Sequence, residues 1–97
     1  MERQFHQKRI EVQLKEWAAK IGVLKAKAER AKADLKGKYQ EEIEELRKKE
    51  EAAQLRLREI KGSSGEAWHE LKGGVDRSLK DLKGALDRAA SKFKKAA

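Results

Sequence analysis

The sequence predicts an all-α fold: a long helix and a shorter antiparallel helix forming a coiled-coil helical hairpin that assembles into oligomers. Three observations predict it. From Ile10 to Ile60 an apolar or small residue recurs at steps of three and four. The stripe runs Ile10, Leu14, Trp17, Ile21, Leu24, Ala28, Ala31, Leu35, Tyr39, Ile43, Leu46, Ala53, Leu57 and Ile60, and only Glu50 interrupts it. The 97 residues include no proline, and 43% are charged, with Ala, Glu, Lys, Leu and Arg dominant, as in long helices. One strong breaker stands in the chain, Gly62-Ser63-Ser64-Gly65.

The first helix is expected over about residues 3–61 of a segment spanning 1–61, a rod roughly 80 Å long at the usual rise per residue. Gly22 and Gly37 fall inside it, each costing about 1 kcal/mol relative to alanine. At Gly37 a turn would give three helices instead of two. Against that, no Ser, Thr, Asp or Asn follows Gly37 to cap a new helix, and the stripe continues through Tyr39 and Ile43. From Ala31 the steps run four, four, four, three, which inserts a residue into the heptad register and relaxes the supercoil.

At residues 62–65 two glycines can end the helix in a left-handed conformation. Ser64 is placed to cap the second helix, and Glu66 suits the positive end of its dipole. That helix, expected over about residues 66–95 of a segment 66–97, carries Trp68, Leu71, Val75, Leu79, Leu82, Leu86, Ala89 and Phe93 on one face. A short connection favours antiparallel neighbours. Folding back sets Leu71 near Leu57, Val75 near Ala53, Leu82 near Leu46 and Phe93 near Leu35. The packing set within the chain is thus Leu35, Leu46, Leu57, Trp68, Leu71, Val75, Leu82, Leu86 and Phe93, over residues 30–61 of the first helix.

The N-terminal half of the long helix then lacks an intrachain partner. Ile10, Leu14, Trp17, Ile21 and Leu24 form an uncovered stripe, expected to be the interface of an antiparallel homodimer. A second, weaker stripe recurs every seven residues at Phe5, Val12, Ala19, Ala26 and Ala33, with Val23 apart from both seams. It reads equally as a second packing face or as helix-promoting surface alanines.

No constellation points to catalysis, a cofactor or a metal. There is no cysteine, and His6 and His69 lie far apart in sequence with no partner at ligand spacing. Glu41, Glu42, Glu44 and Glu45 sit at spacings that pair them with Lys48 and Lys49 along a helix. The glycine pairs lack the strand and the Lys-Ser/Thr of a phosphate loop. No stretch approaches about 18 uncharged apolar residues, and no apolar run follows the N-terminal charges, so the expected location is the cytoplasm.

Charge leaves two binding roles open. The net charge is +8, and residues 1–40 carry 11 Lys/Arg against 5 Asp/Glu. A basic arm over residues 3–38 could neutralise nucleic-acid phosphates, though no stacking platform accompanies it. The helix at 66–95 could lie on a membrane, with Lys72, Lys80, Lys83, Lys92, Lys94 and Lys95 edging an apolar face. Packing onto the first helix is the favoured use of that face.

Several segments together resemble a known group. They are Leu14-Lys15-Glu16-Trp17, then Tyr39-Gln40-Glu41-Glu42-Ile43-Glu44-Glu45-Leu46, the piece from Ser64-Gly65-Glu66-Ala67-Trp68 through Leu71-Lys72-Gly73-Gly74-Val75, and Ala89-Ala90-Ser91-Lys92-Phe93. The pattern is similar to small bacterial coiled-coil proteins of unknown function from cyanobacteria and proteobacteria, some described as stress-induced. Gly22, Gly37 and Gly74 depart from it, standing where helix formers are expected. The resemblance implies a coiled coil and brings no activity, ligand or catalytic residue. The expected function is a non-enzymatic, self-associating structural or interaction protein, with a link to stress implied by that likeness; the alternative is a peripheral binder of anionic surfaces, either membrane through the helix at 66–95 or nucleic acid through the basic residues 3–38.

Overall fold

A computed structural model of the chain describes the backbone of residues 2–96 and the side chains of residues 4–94. The fold is all-helical, as expected, but built from three helices: α1 (Glu2–Glu29), α2 (Ala33–Lys61) and α3 (Gly65–Ala96). They form an up-down-up bundle with principal extents of 50 × 18 × 16 Å, well short of an 80 Å rod. Each helix packs on the other two. At one end Glu11 of α1 pairs with Lys61 of α2, and His6 lies against Trp68 and Asp76 of α3. At the other end Lys92 of α3 reaches Glu42 of α2 at 2.5 Å, and the Phe93 and Tyr39 rings stand 4.2 Å apart. Hence α1 and α3 run parallel, and α2 runs against both.

The expected long helix is therefore corrected to two, with the break at Arg30, Ala31 and Lys32. Gly37 lies inside α2, facing open space. The last turn of α1 tightens: the Arg30 N–H is shared between the Ala26 and Lys27 carbonyls, and the Ala31 N–H reaches the Ala28 carbonyl at 3.2 Å. Lys32 is extended (φ −61°, ψ 151°) and opens α2 without a side-chain cap. Reversal costs a few backbone hydrogen bonds, each worth about 1 kcal/mol net. It buries Ile10, Leu14, Trp17, Ile21 and Leu24, each 8% exposed or less. Each such side chain contributes roughly 1.5–3 kcal/mol, so burial decides the topology.

The second reversal follows the expected boundary by different means. Among the described residues no glycine has a positive φ, and Gly62 (φ −85°, ψ 0°) donates its N–H to the Arg58 carbonyl from a right-handed conformation. The Ser63 hydroxyl donates to the Ile60 carbonyl at 2.7 Å. Ser64 caps α3: its carbonyl accepts the Trp68 N–H at 2.8 Å and its Oγ the Ala67 N–H at 3.3 Å.

One core cluster runs the length of the bundle, and no polar or charged residue among those described is fully buried. Ile60, Leu82 and Ala89 lie deepest, with no measurable exposure. Specificity therefore rests on apolar shape and on the two reversals.

Two measurements check this account. Ile21→Ala should lower unfolding free energy by about 2–5 kcal/mol in urea titration, a loss expected only of a well-packed core position. Lys32→Ser gives α2 the hydroxyl cap it lacks and should raise stability by about 0.5–1 kcal/mol. In an uninterrupted helix the same serine would be mildly destabilising.

Candidate interaction surface

Helix α1 is apolar on two opposite faces, whereas the apolar residues of α3 gather on one. The inner face of α1 holds Ile10, Leu14, Trp17, Ile21, Leu24 and Ala28 against α2 and α3. The outer face bears Phe5, Val12, Ala19, Val23 and Ala26, all exposed, with Phe5 at 74%, Val12 at 48% and Val23 at 57%. Val23 follows Phe5 by about five turns of an ordinary α-helix and so stands at its azimuth. A strict seven-residue count misses this, because it drifts around a straight helix. Ala33, the last member of the expected second stripe, lies across the break on α2.

Cations frame this outer face. Lys8, Arg9, Lys15 and Lys27 lie beside its centre line and Arg30 at its end, all exposed, and Glu16 is the one acid beside them. Glu11 is drawn sideways to Lys61. Phe5 and Val12 share a shallow depression with Lys8, Arg9 and Glu16. The stripe continues toward the α1–α2 reversal, where Lys27, Arg30 and Lys32 rim a cavity of about 330 Å³ floored by Leu35, Tyr39 and Phe93.

Two further clusters appear. The fold brings both histidines to Trp68: the His6 ring meets it edge-on at 5.9 Å and the His69 ring at 5.1 Å, with Lys72 Nζ 5.5 Å from its centroid. His6 Nε2 lies 3.6 Å from Asp76 Oδ1, an ion-pair distance that is too long for a hydrogen bond. The carboxylates Glu41, Glu42, Glu44 and Glu45 line a depression on α2 together with Lys38, Lys48 and Lys92. Among the described residues no group of three or more His, Cys, Asp or Glu could hold a metal ion.

The expected site residues fall out as follows. Leu46, Leu57, Trp68, Val75, Leu82, Leu86 and Phe93 are buried, while Leu35 and Leu71 are half-buried. Phe93 stacks on Tyr39, one helical turn from its expected partner Leu35, which borders the same cavity. Ile10, Leu14, Trp17, Ile21 and Leu24, expected to lack a partner within the chain, are covered by α2 and α3 of the same chain. The apolar face of α3, from Trp68 to Phe93, is likewise spent in the core, so α3 cannot offer it to a membrane while the bundle is intact. The basic arm 3–38 is divided between α1 and α2; the side chains of Arg3 and Lys95 lie outside the described residues.

What the sequence reading missed is that Val23 belongs to the second stripe and that this stripe, rather than the Ile10–Leu24 one, is left open among the described residues. Its signal was present in Phe5, Val12 and Val23 taken at helical spacing. No family model, curated protein or solved structure matches this chain. No helix among the described residues is long and apolar enough to cross a membrane.

Since nothing in the bundle rests on this face, Phe5→Ser, Val12→Ser and Val23→Ser should each change unfolding free energy by no more than about 0.5 kcal/mol, measured in urea.

Proposed function

We propose that the chain is a non-enzymatic interaction module of the cytoplasm, a small helical bundle that presents the outer face of α1 to a partner. The observation that carries this reading is the two-faced character of α1. One apolar face is consumed by the core, and the other is left open between cations. Apolar residues lined up on a charged surface cost solubility and mark a contact surface when they cluster. A part in stress responses is supported by the sequence resemblance alone.

Self-association belongs to the proposal in a changed form. An antiparallel homodimer through Ile10, Leu14, Trp17, Ile21 and Leu24 needs that stripe uncovered, and the folded chain covers it. Two copies would instead meet by exchanging α1, each arm completing the other's bundle with the same contacts. The module needs no second copy to fill its core.

A photo-crosslinking residue placed at Val12 should capture a partner molecule in the native cell, and the same residue at Ser91 on the solvent side of α3 should not. Capture from Ser91 alone, or from neither position, would contradict the proposal. So would turnover of a small-molecule substrate that His6→Ala or His69→Ala abolishes.

A further inference from the structure

We infer that the partner of the α1 outer face is an anionic lipid surface, an inference that rests on the interaction-module reading and gives its partner a chemistry. The face has two parts that a single occupant must satisfy. Along its centre run Phe5, Val12 and Val23, each about half exposed or more, with Ala19 and Ala26 between them. On both edges stand Lys8, Arg9, Lys15 and Lys27, with Arg30 at the end of the stripe, against the single carboxylate of Glu16. A helix lying in a bilayer interface has this arrangement: shallow apolar side chains among the acyl chains, and long basic side chains reaching the headgroup charge.

Two alternative occupants satisfy only one part. A second copy of the chain would cover the apolar centre but set the same cations against each other across a two-fold. A nucleic-acid duplex would neutralise the cations, yet its backbone offers nothing to cover Phe5, Val12 and Val23, and one exposed phenylalanine is no stacking platform. An anionic bilayer meets both requirements. It also requires no unfolding: the inner face of α1 stays in the core, and the bundle lies with α1 against the membrane and α2 and α3 above it. The 28 residues of α1 give a contact about 40 Å long. The apolar side chains are few, so binding depends on headgroup charge and is reversible, with the attraction confined to within about 10 Å of the surface at ordinary salt.

Flotation of the full chain with vesicles tests this, using phosphatidylcholine alone and phosphatidylcholine mixed with phosphatidylglycerol. Anionic vesicles should bind at least about tenfold more protein than neutral ones, and binding should fall steeply as salt rises. Phe5→Ser/Val12→Ser/Val23→Ser and, separately, Lys8→Glu/Arg9→Glu should each reduce binding about tenfold while leaving the helical spectrum unchanged. An environment-sensitive dye at Val12→Cys should shift to the blue on anionic vesicles, and the dye at Ser91→Cys should not. Absence of binding to anionic vesicles overturns the inference, as does a shift confined to the Ser91 position. Duplex DNA retarded in a gel by the wild type and by the triple serine variant alike, with no vesicle binding, would replace lipid with nucleic acid. If vesicles fail while Val12 still captures another molecule in the cell, the lipid inference falls and the interaction-module reading stands. If Val12 captures nothing and vesicles fail, both fall.

Discussion

Burial of Ile10, Leu14, Trp17, Ile21 and Leu24 by α2 and α3 of the same chain is the contact on which the rest of the structure depends. Without it, α1 would extend as a free arm carrying a wide apolar stripe, and the chain would need another molecule to cover it. With it, the chain closes into a bundle in which no polar or charged residue among those described is fully buried, although the Tyr39 hydroxyl and the Trp68 indole N–H are enclosed. The polar contacts that tie the ends together, Glu11 with Lys61 and Lys92 with Glu42, involve partly exposed side chains. Such pairs each contribute at most about 1 kcal/mol, so they tune the alignment of helices that apolar packing already holds.

The same burial explains why α1 is the helix with a surface to spare. Both α2 and α3 have one principal apolar face and spend it inward. Helix α1 has two, and a three-helix bundle can cover only one of them. An outer stripe of alanines alone would be unremarkable helix-forming surface. Phe5, Val12 and Val23 make it different, since each leaves substantial apolar area in water within a frame of cations. Fold and proposed function are thus joined: the requirement that encloses the inner stripe fixes the outer one toward solvent.

Much of the fold was legible from spacing. The helical class, the boundary at 62–65, the Ser64 cap and the apolar face of α3 all follow from local pattern and end signals, which act over a few residues. The break at residues 30–32 did not, because Arg30, Ala31 and Lys32 are all good helix formers and carry no glycine or proline. Its cause is non-local: a reversal there is favourable only when the preceding segment has a partner to fold onto. One local mark was there: Asp34 is the only Asp, Asn, Ser or Thr in the first 62 residues, placed where a carboxylate suits a helix start. Gly37 drew attention away from it, although a solvent-facing glycine in a helix with strong neighbours is tolerated. Of the interaction surface, the sequence displayed the residues but hid the choice. Which apolar face of α1 stays open depends on which one α2 and α3 cover.

The covering of the α1 stripe within one chain is tested most directly by zero-length crosslinking between Glu11 and Lys61. Isotopically heavy and light chains, unfolded together and refolded at low concentration, would be treated with a carbodiimide and digested. The bundle predicts a Glu11–Lys61 link found only as heavy–heavy and light–light pairs, because both residues belong to one molecule. Mixed pairs at the statistical proportion would show that another copy supplies α1. Absence of the link, with efficient coupling elsewhere on the chain, would mean that α1 does not fold back at all, and the closed bundle would be wrong.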